Sequence, residues 1–362
     1  MMVQMGRADT GVTSDLAAAA SRGRQRVNPP APARPGRKRG KQHEHSGPPA
    51  HLSRSREVNG SPAKSGRFIV LRTNRDSLVK MAVTGIVSPP TLARGVHRTK
   101  ATGEAFIPIG MAGIIYNARP GCPAFGWAAD HLEPAVCVHC ADTQEDHALH
   151  YLANLGNDAV VASGEAKGAR GIVMGEHARF IVDFDESDME KMCPGDRVQI
   201  QAWGTGLRLL DYPHVKVWKL DPRLLDRLGI TELDGGRLRV PVTHILPSRI
   251  MGSGWELNPE YVDQDICSND PATVKEFGME TLRTGDVVAV TDADHAQGRG
   301  YRQGAITIGL INHGNSWMLG HGPGCMTLLS CATPRIEPVL DHDANIARYM
   351  NCGVFASKGA RA

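Results

Sequence analysis

Between Asp292 and Gly324 the chain runs DADHAQGRGYRQGAITIGLINHGNSWMLGHGPG, its densest gathering of ligand-type side chains and glycine. Asp292 and Asp294 stand two apart at the end of an apolar run, so an extended strand would point both carboxylates to one side. His313 follows a second apolar run in Asn-His-Gly, and His321 sits in the loop Gly320-His-Gly-Pro-Gly324. Carboxylate oxygens and neutral imidazoles are customary ligands of zinc and similar ions in hydrolytic sites, where the ion lowers the pKa of water to about 7. The expectation is a divalent metal, zinc first, held by Asp292, Asp294, His313 and His321. Gly320, Gly322 and Gly324 let the backbone approach a ligand and leave N–H groups open to an anion. The plainer reading makes all of these turn residues, because Asp and Gly commonly close strands.

Other segments carry partial signals. Asp130 beside His131 would orient the imidazole as a general base that shuttles a proton. In Ser163-Gly-Glu-Ala-Lys-Gly-Ala-Arg-Gly171, Lys167 and Arg170 lie among glycines without the order of a phosphate-binding loop; Lys167 is the candidate for oxyanion stabilisation. Cys137-Val-His-Cys140 resembles half of a structural zinc site and lacks a second pair at usable spacing. His147 and His150 share a helix face beside Glu145 and Asp146 and read as a solvated face. Ser253 lacks the Gly-x-Ser-x-Gly spacing of a nucleophile elbow.

The elements that must position these groups are mostly strands. Short β-branched runs between Gly, Pro and Asp turns predict strands over 158–163, 171–174, 179–184, 197–203, 214–218, 238–246, 287–291, 306–312 and 326–329. Two turn–strand units echo each other, Cys193-Pro-Gly-Asp and Arg283-Thr-Gly-Asp. Helices are predicted after Asp142 and after Asp221-Pro222, each with a capping carboxylate, and over 343–350. The fold class expected is α+β, dominated by mixed and antiparallel sheets with a few short helices. Its body would have two lobes, 81–250 and 251–340, with a C-terminal helix and tail over 341–362.

Charge divides the 362 residues unevenly. The first 80 carry 16 Lys and Arg against 5 Asp and Glu, a net of +11, while the remainder nets −8. Residues 1–80 therefore read as a disordered basic extension, rich in Pro, Gly and Ser over 26–66. The acidic body, with 5% aromatic residues, is not that of a nucleic-acid binder. No window reaches 18 apolar residues and no export signal opens the chain, so the expectation is a cytoplasmic protein with reduced cysteines and no membrane partner.

The stretches Ser163–Gly171, Met251-Gly-Ser-Gly254, Gly300-Tyr-Arg-Gln-Gly-Ala-Ile-Thr-Ile-Gly309 and Gly320–Gly324 together resemble a bacterial and archaeal family of unknown function, domain of unknown function 4438, over about Thr102–Ala332. That family implies no established reaction, and it places residues 1–80 outside the folded unit. Asp292-Ala-Asp-His-Ala-Gln-Gly-Arg-Gly-Tyr301 is also similar, more weakly, to a stretch of the acetamidase/formamidase metal-dependent amide hydrolases. Arg299 and Tyr301 stand here where that group has acids. The functional expectation is a metal-dependent hydrolase of a small amide or lactam, working as a homo-oligomer on a small-molecule substrate. The alternatives are a non-catalytic protein that grips an anionic small molecule and, third, an oligomeric scaffold.

Overall fold

The first sheet closes on itself. In this computed structural model, which describes residues 67–357 apart from 69, 93–96 and 255–262, six strands drawn from residues 81–202 pair antiparallel. Their order is Met81–Val87, Arg197–Ala202, Asp158–Val161, Arg170–Glu176, Phe180–Phe184 and Ala135–His139, and the last pairs back with the first through Ile86 and His139. Closure removes the free edges that an open sheet would expose. The alternation along Arg197–Ala202, with Val198, Ile200 and Ala202 buried, shows the inward face that the sequence pattern implies.

A second sheet takes its strands from residues 215–331, in the order Val215–Val217, Gly324–Cys331, Gly300–Ile311, Val287–Asp294 and His244–Pro247. Its pairings are antiparallel except the last, which is parallel. Gln264–Asp265 adds to Gly324–Cys331, setting Asp265 opposite Gly324. A third, four-stranded sheet joins Arg67–Phe68, Thr231–Leu233, Arg237–Val242 and Ile336–Leu340. One large apolar core runs through the barrel and the second sheet, from Phe180, Phe184, Ile200 and Leu149 to Leu310 and Leu329. A smaller one gathers Leu246, Ile250, Ile266, Val288, Val290 and Ile311.

The β-dominated α+β class is borne out, and most predicted strands are present within a residue or two. Two differ. The run 238–246 is broken at Thr243 into two strands in different sheets, and Ala135–His139, read for its cysteines, is a barrel strand. There Cys137 is buried with its thiol on Glu133 Oε2, and the Cys140 thiol reaches the Thr84 carbonyl, so neither faces a common ligand point. Both Gly-Asp turns have the same build: the glycine has positive φ, and the Asp carboxylate accepts from the N–H three residues back, Cys193 or Arg283.

The helices start where their caps lie. Asp142 Oδ1 accepts from the N–H groups of Gln144 and Glu145, and Asp221 Oδ1 from that of Arg223. The last helix is shorter than expected, Ile346–Tyr349, because Asn345 is extended and caps it. An unforeseen helix, Pro271–Glu276, begins at Asp270. His150 corrects the reading of a solvated helix face: it is buried, with Nδ1 2.6 Å from Glu176 Oε1. The body also begins before Met81, since Leu71 is buried and Arg72 and Arg75 pair with Asp211 and Asp226. Residues 1–66 of the expected extension lie outside the described residues. Among the described residues no helix is long and apolar enough to cross a membrane.

Candidate metal centre

Five separate segments deliver ligand-type side chains to one buried point beside the barrel. His131 comes from the loop before Ala135–His139, His177 from the turn after Arg170–Glu176, and Asp263 and Asp265 from around the short strand Gln264–Asp265. His313 follows Gly300–Ile311, and His321 lies in the loop before Gly324–Cys331. Asp265 Oδ2 lies 2.7 Å from His321 Nδ1 and 3.3 Å from His131 Nε2, and these two ring nitrogens are 3.1 Å apart. On the other side, His313 Nε2 lies 3.0 Å from Asp263 Oδ2 and 3.3 Å from Asp265 Oδ1. The His177 ring is 4.4 Å from that of His313, centre to centre.

What lies behind the imidazoles decides which nitrogen faces the centre. His131 Nδ1 bonds Asp130 Oδ2 at 2.7 Å, His177 Nδ1 bonds Glu133 Oε1 at 2.6 Å, and His313 Nδ1 bonds the Gly314 carbonyl at 2.8 Å. Each acceptor holds the proton on Nδ1 and leaves Nε2 as a lone pair aimed inward, the arrangement metal-binding histidines almost always show. Asp130 is itself held, Oδ1 accepting from Ser316 Oγ at 2.8 Å and from the Trp317 N–H at 2.9 Å. Asn312 Nδ2 donates to Asp263 Oδ2 at 2.7 Å, and Arg299 donates to the carbonyls of Gly254 and Asp263. Arg299, which departs from the amidase stretch, thus positions a candidate ligand.

Burial by itself pushes the carboxyls of Asp263 and Asp265 up, but the surrounding imidazoles outweigh it and hold both below the ordinary carboxylate range. Burial pulls His313 down, and the two carboxylates more than reverse it, leaving it well above its usual value. His131 is raised in the same contest by Asp130 and Asp265. For His131 and His313 a cation at the centre would therefore compete with a proton for the inward nitrogen. The fit to a metal has a direct sign: His313 Nε2 is buried and makes no hydrogen bond despite two carboxylate oxygens within 3.3 Å. Its lone pair and theirs converge as ligands do around an ion.

Of the residues singled out by sequence, His313, His321 and His131 meet here, with Asp130 behind His131. Asp292 and Asp294 do not join them. A β-bulge at Asp292, where φ is +55°, breaks the alternation assumed for an even strand. Asp292 then accepts from the Gly304 N–H, and Asp294 from the Ala296 N–H and Ser330 Oγ. Lys167 is exposed in the hairpin between two barrel strands. The glycines of 320–324 are spacers. A Cβ on Gly324 would strike Asp263 Oδ2, Asn312 Oδ1 and His313, and one on Gly322 would strike the Ile266 carbonyl. Sequence reasoning missed Asp263, Asp265 and His177. The first two have the Asp-x-Asp spacing that drew attention to 292–294; His177 had no signal beyond its type.

The Domain of unknown function (DUF4438) family matches in two adjoining parts, N-terminal over residues 97–226 and C-terminal over 227–350. The chain belongs to the DUF4438 family. A solved structure, the crystal structure of TM1086, is similar to this DUF4438 protein at 38% identity and a TM-score of 0.74, covering 77% of this chain and 99% of that one. No curated protein matches the chain. The match boundary at 226/227 falls after the last barrel strand, and every member of the cluster lies within the matched residues: His131 and His177 in the N-terminal part, the other four in the C-terminal part.

Proposed function

We propose that this DUF4438 protein is a metal-dependent hydrolase of a small amide or lactam. The observation that carries the reading is the convergence of His131, His313, His321, Asp263 and Asp265, with the outer nitrogens of His131 and His313 pinned by acceptors. A mixed imidazole–carboxylate set suits zinc or a neighbouring first-row ion. Once bound there, the ion would polarise the carbonyl and activate water at neutral pH.

The chain's own residues supply the rest. Hydrolysis adds water to the carbonyl carbon, breaks the C–N bond and requires a proton on the departing nitrogen. His177 suits that transfer. It is held by Glu133, its side chain is 16% exposed, and it approaches the centre through His131 and His313, with no hydrogen bond or ion pair to Asp263 or Asp265. Asp130 orients His131 instead of acting as a free base. Entry would be past His321, the most exposed member at 27%. A cavity of about 180 Å³, lined by Trp127, Trp317, Leu132 and Asn315, includes the chain neighbour of His131 and none of the candidate ligands. The eight free cysteines support a reducing, cytoplasmic setting.

The test is metal analysis of the purified full chain, then assay of formamide, acetamide and small lactams with and without chelator. Bound metal with chelator-sensitive release of ammonia, or ring opening of a lactam, is expected. Absence of stoichiometric metal after loading overturns the reading.

A further inference from the structure

We propose that the centre holds two divalent cations, with the Asp265 carboxylate bridging them. The inference rests on the metal-dependent reading above and goes beyond it in the number and arrangement of ions.

Asp265 divides its two oxygens between two sets of partners. Oδ2 faces His321 Nδ1 and His131 Nε2, while Oδ1 faces His313 Nε2, which also has Asp263 Oδ2 at 3.0 Å. A carboxylate that served a single ion would turn one oxygen, or both, to one place. The ligand atoms accordingly fall into overlapping threes, His131 with Asp265 and His321, and Asp263 with Asp265 and His313, while a third, His131 with His177 and His313, shares one imidazole with each; within each three the atoms lie within 4.8 Å of one another. Among the described residues no such grouping contains both His321 and Asp263. Five ligating side chains, His131, His313, His321, Asp263 and Asp265, also exceed the four that a tetrahedral ion takes.

The pocket is acidic as well: four carboxylates, Asp130, Glu133, Asp263 and Asp265, are buried within it. Beside Asp263 and His313, Asn312 Oδ1 is buried with no hydrogen-bond partner, a neutral oxygen at the deeper of the two positions. The first ion would take His131, His321 and Asp265; the second His313, Asp263 and Asp265. Two ions held there would supply Lewis-acid stabilisation to both the attacking and the leaving atom of a displacement.

The full chain is stripped with chelator, loaded with Mn²⁺ alone, and examined by metal analysis and electron paramagnetic resonance. Two equivalents with an exchange-coupled signal are expected. His321→Ala should drop the content to one ion and abolish the coupling, as should Asp263→Asn from the other end. Circular dichroism of the metal-free variants separates these losses from misfolding. One equivalent in the wild type, or two without coupling, overturns the bridged pair and leaves the single-ion hydrolase standing. No bound Mn²⁺, Zn²⁺ or Co²⁺ overturns both.

Discussion

Replacing Asp130 by asparagine exchanges one oxygen for an NH₂ group and leaves the shape of the site unchanged, which makes it the cleanest probe of how the centre is prepared. Asp130 is fully buried and its two oxygens serve three donors: Oδ2 takes His131 Nδ1–H, and Oδ1 takes Ser316 Oγ and the Trp317 N–H. An asparagine can satisfy only one side. If its oxygen keeps Ser316 and Trp317, its NH₂ faces His131 Nδ1, the ring proton must move to Nε2, and the inward lone pair is lost. If the amide turns over, the NH₂ meets the Trp317 N–H and a buried donor goes unpaired, at a cost of about 1–3 kcal/mol. The first arrangement loses the outer partner of a ligand, worth roughly 10–100-fold in metal affinity, or about 1.4–2.7 kcal/mol. Zn²⁺ competition against a chromophoric chelator measures that loss, and urea unfolding of the stripped protein measures the stability cost separately. A variant that binds Zn²⁺ within twofold of the wild type would refute the argument that Asp130 sets the His131 tautomer.

Three further outcomes follow from the same geometry. His177→Gln should retain metal but lose about 10²–10⁴-fold in kcat if this imidazole delivers the proton; metal loss instead would make His177 a ligand, and unchanged turnover would remove it from the reaction. Gly324→Ala should cost about 1–3 kcal/mol through overpacking against Asp263 and His313, and should weaken metal uptake. The control Gly320→Ala, with open space at its Cβ and φ of +78°, should pay only the backbone strain of about 1–2 kcal/mol and leave metal content unchanged. His295 lies outside the metal cluster, and burial together with Arg299 pushes its pKa down to about 4. Its folded pKa is below the unfolded value near 6.5, so the neutral ring becomes a liability as pH falls from about 6.5 to 4, costing about 3 kcal/mol across that window. His295→Asn should remove this component; a difference in unfolding free energy between the two proteins that stays flat from pH 4 to 6.5 would rule it out.

Much of the framework was legible because it is local. Capping carboxylates at Asp142 and Asp221, positive-φ glycines in the Gly-Asp turns, and period-two burial along Arg197–Ala202 all depend on neighbours a few residues away. His131, His313 and His321 were legible as candidates because each stands beside an acid or a glycine in a segment dense in ligand-type side chains. His150 and Glu176 were not: their pairing spans 26 residues and is visible only when the helix lies against the barrel.

The amino-acid sequence by itself determined the β-dominated body, its turns and caps, and the supply of imidazoles and carboxylates. Which carboxylates meet the imidazoles was decided by the tertiary structure. Asp292-x-Asp294 and Asp263-x-Asp265 have the same spacing, and alternation along a strand recommends them equally. A bulge turns the first pair toward the Gly304 N–H, Ser330 and Arg302. Pairing of Asp265 opposite Gly324, a residue with no Cβ to obstruct, brings the second pair against His313. Register and bulges arise from contacts between strands distant in the chain, and a spacing rule read along one strand has no access to them.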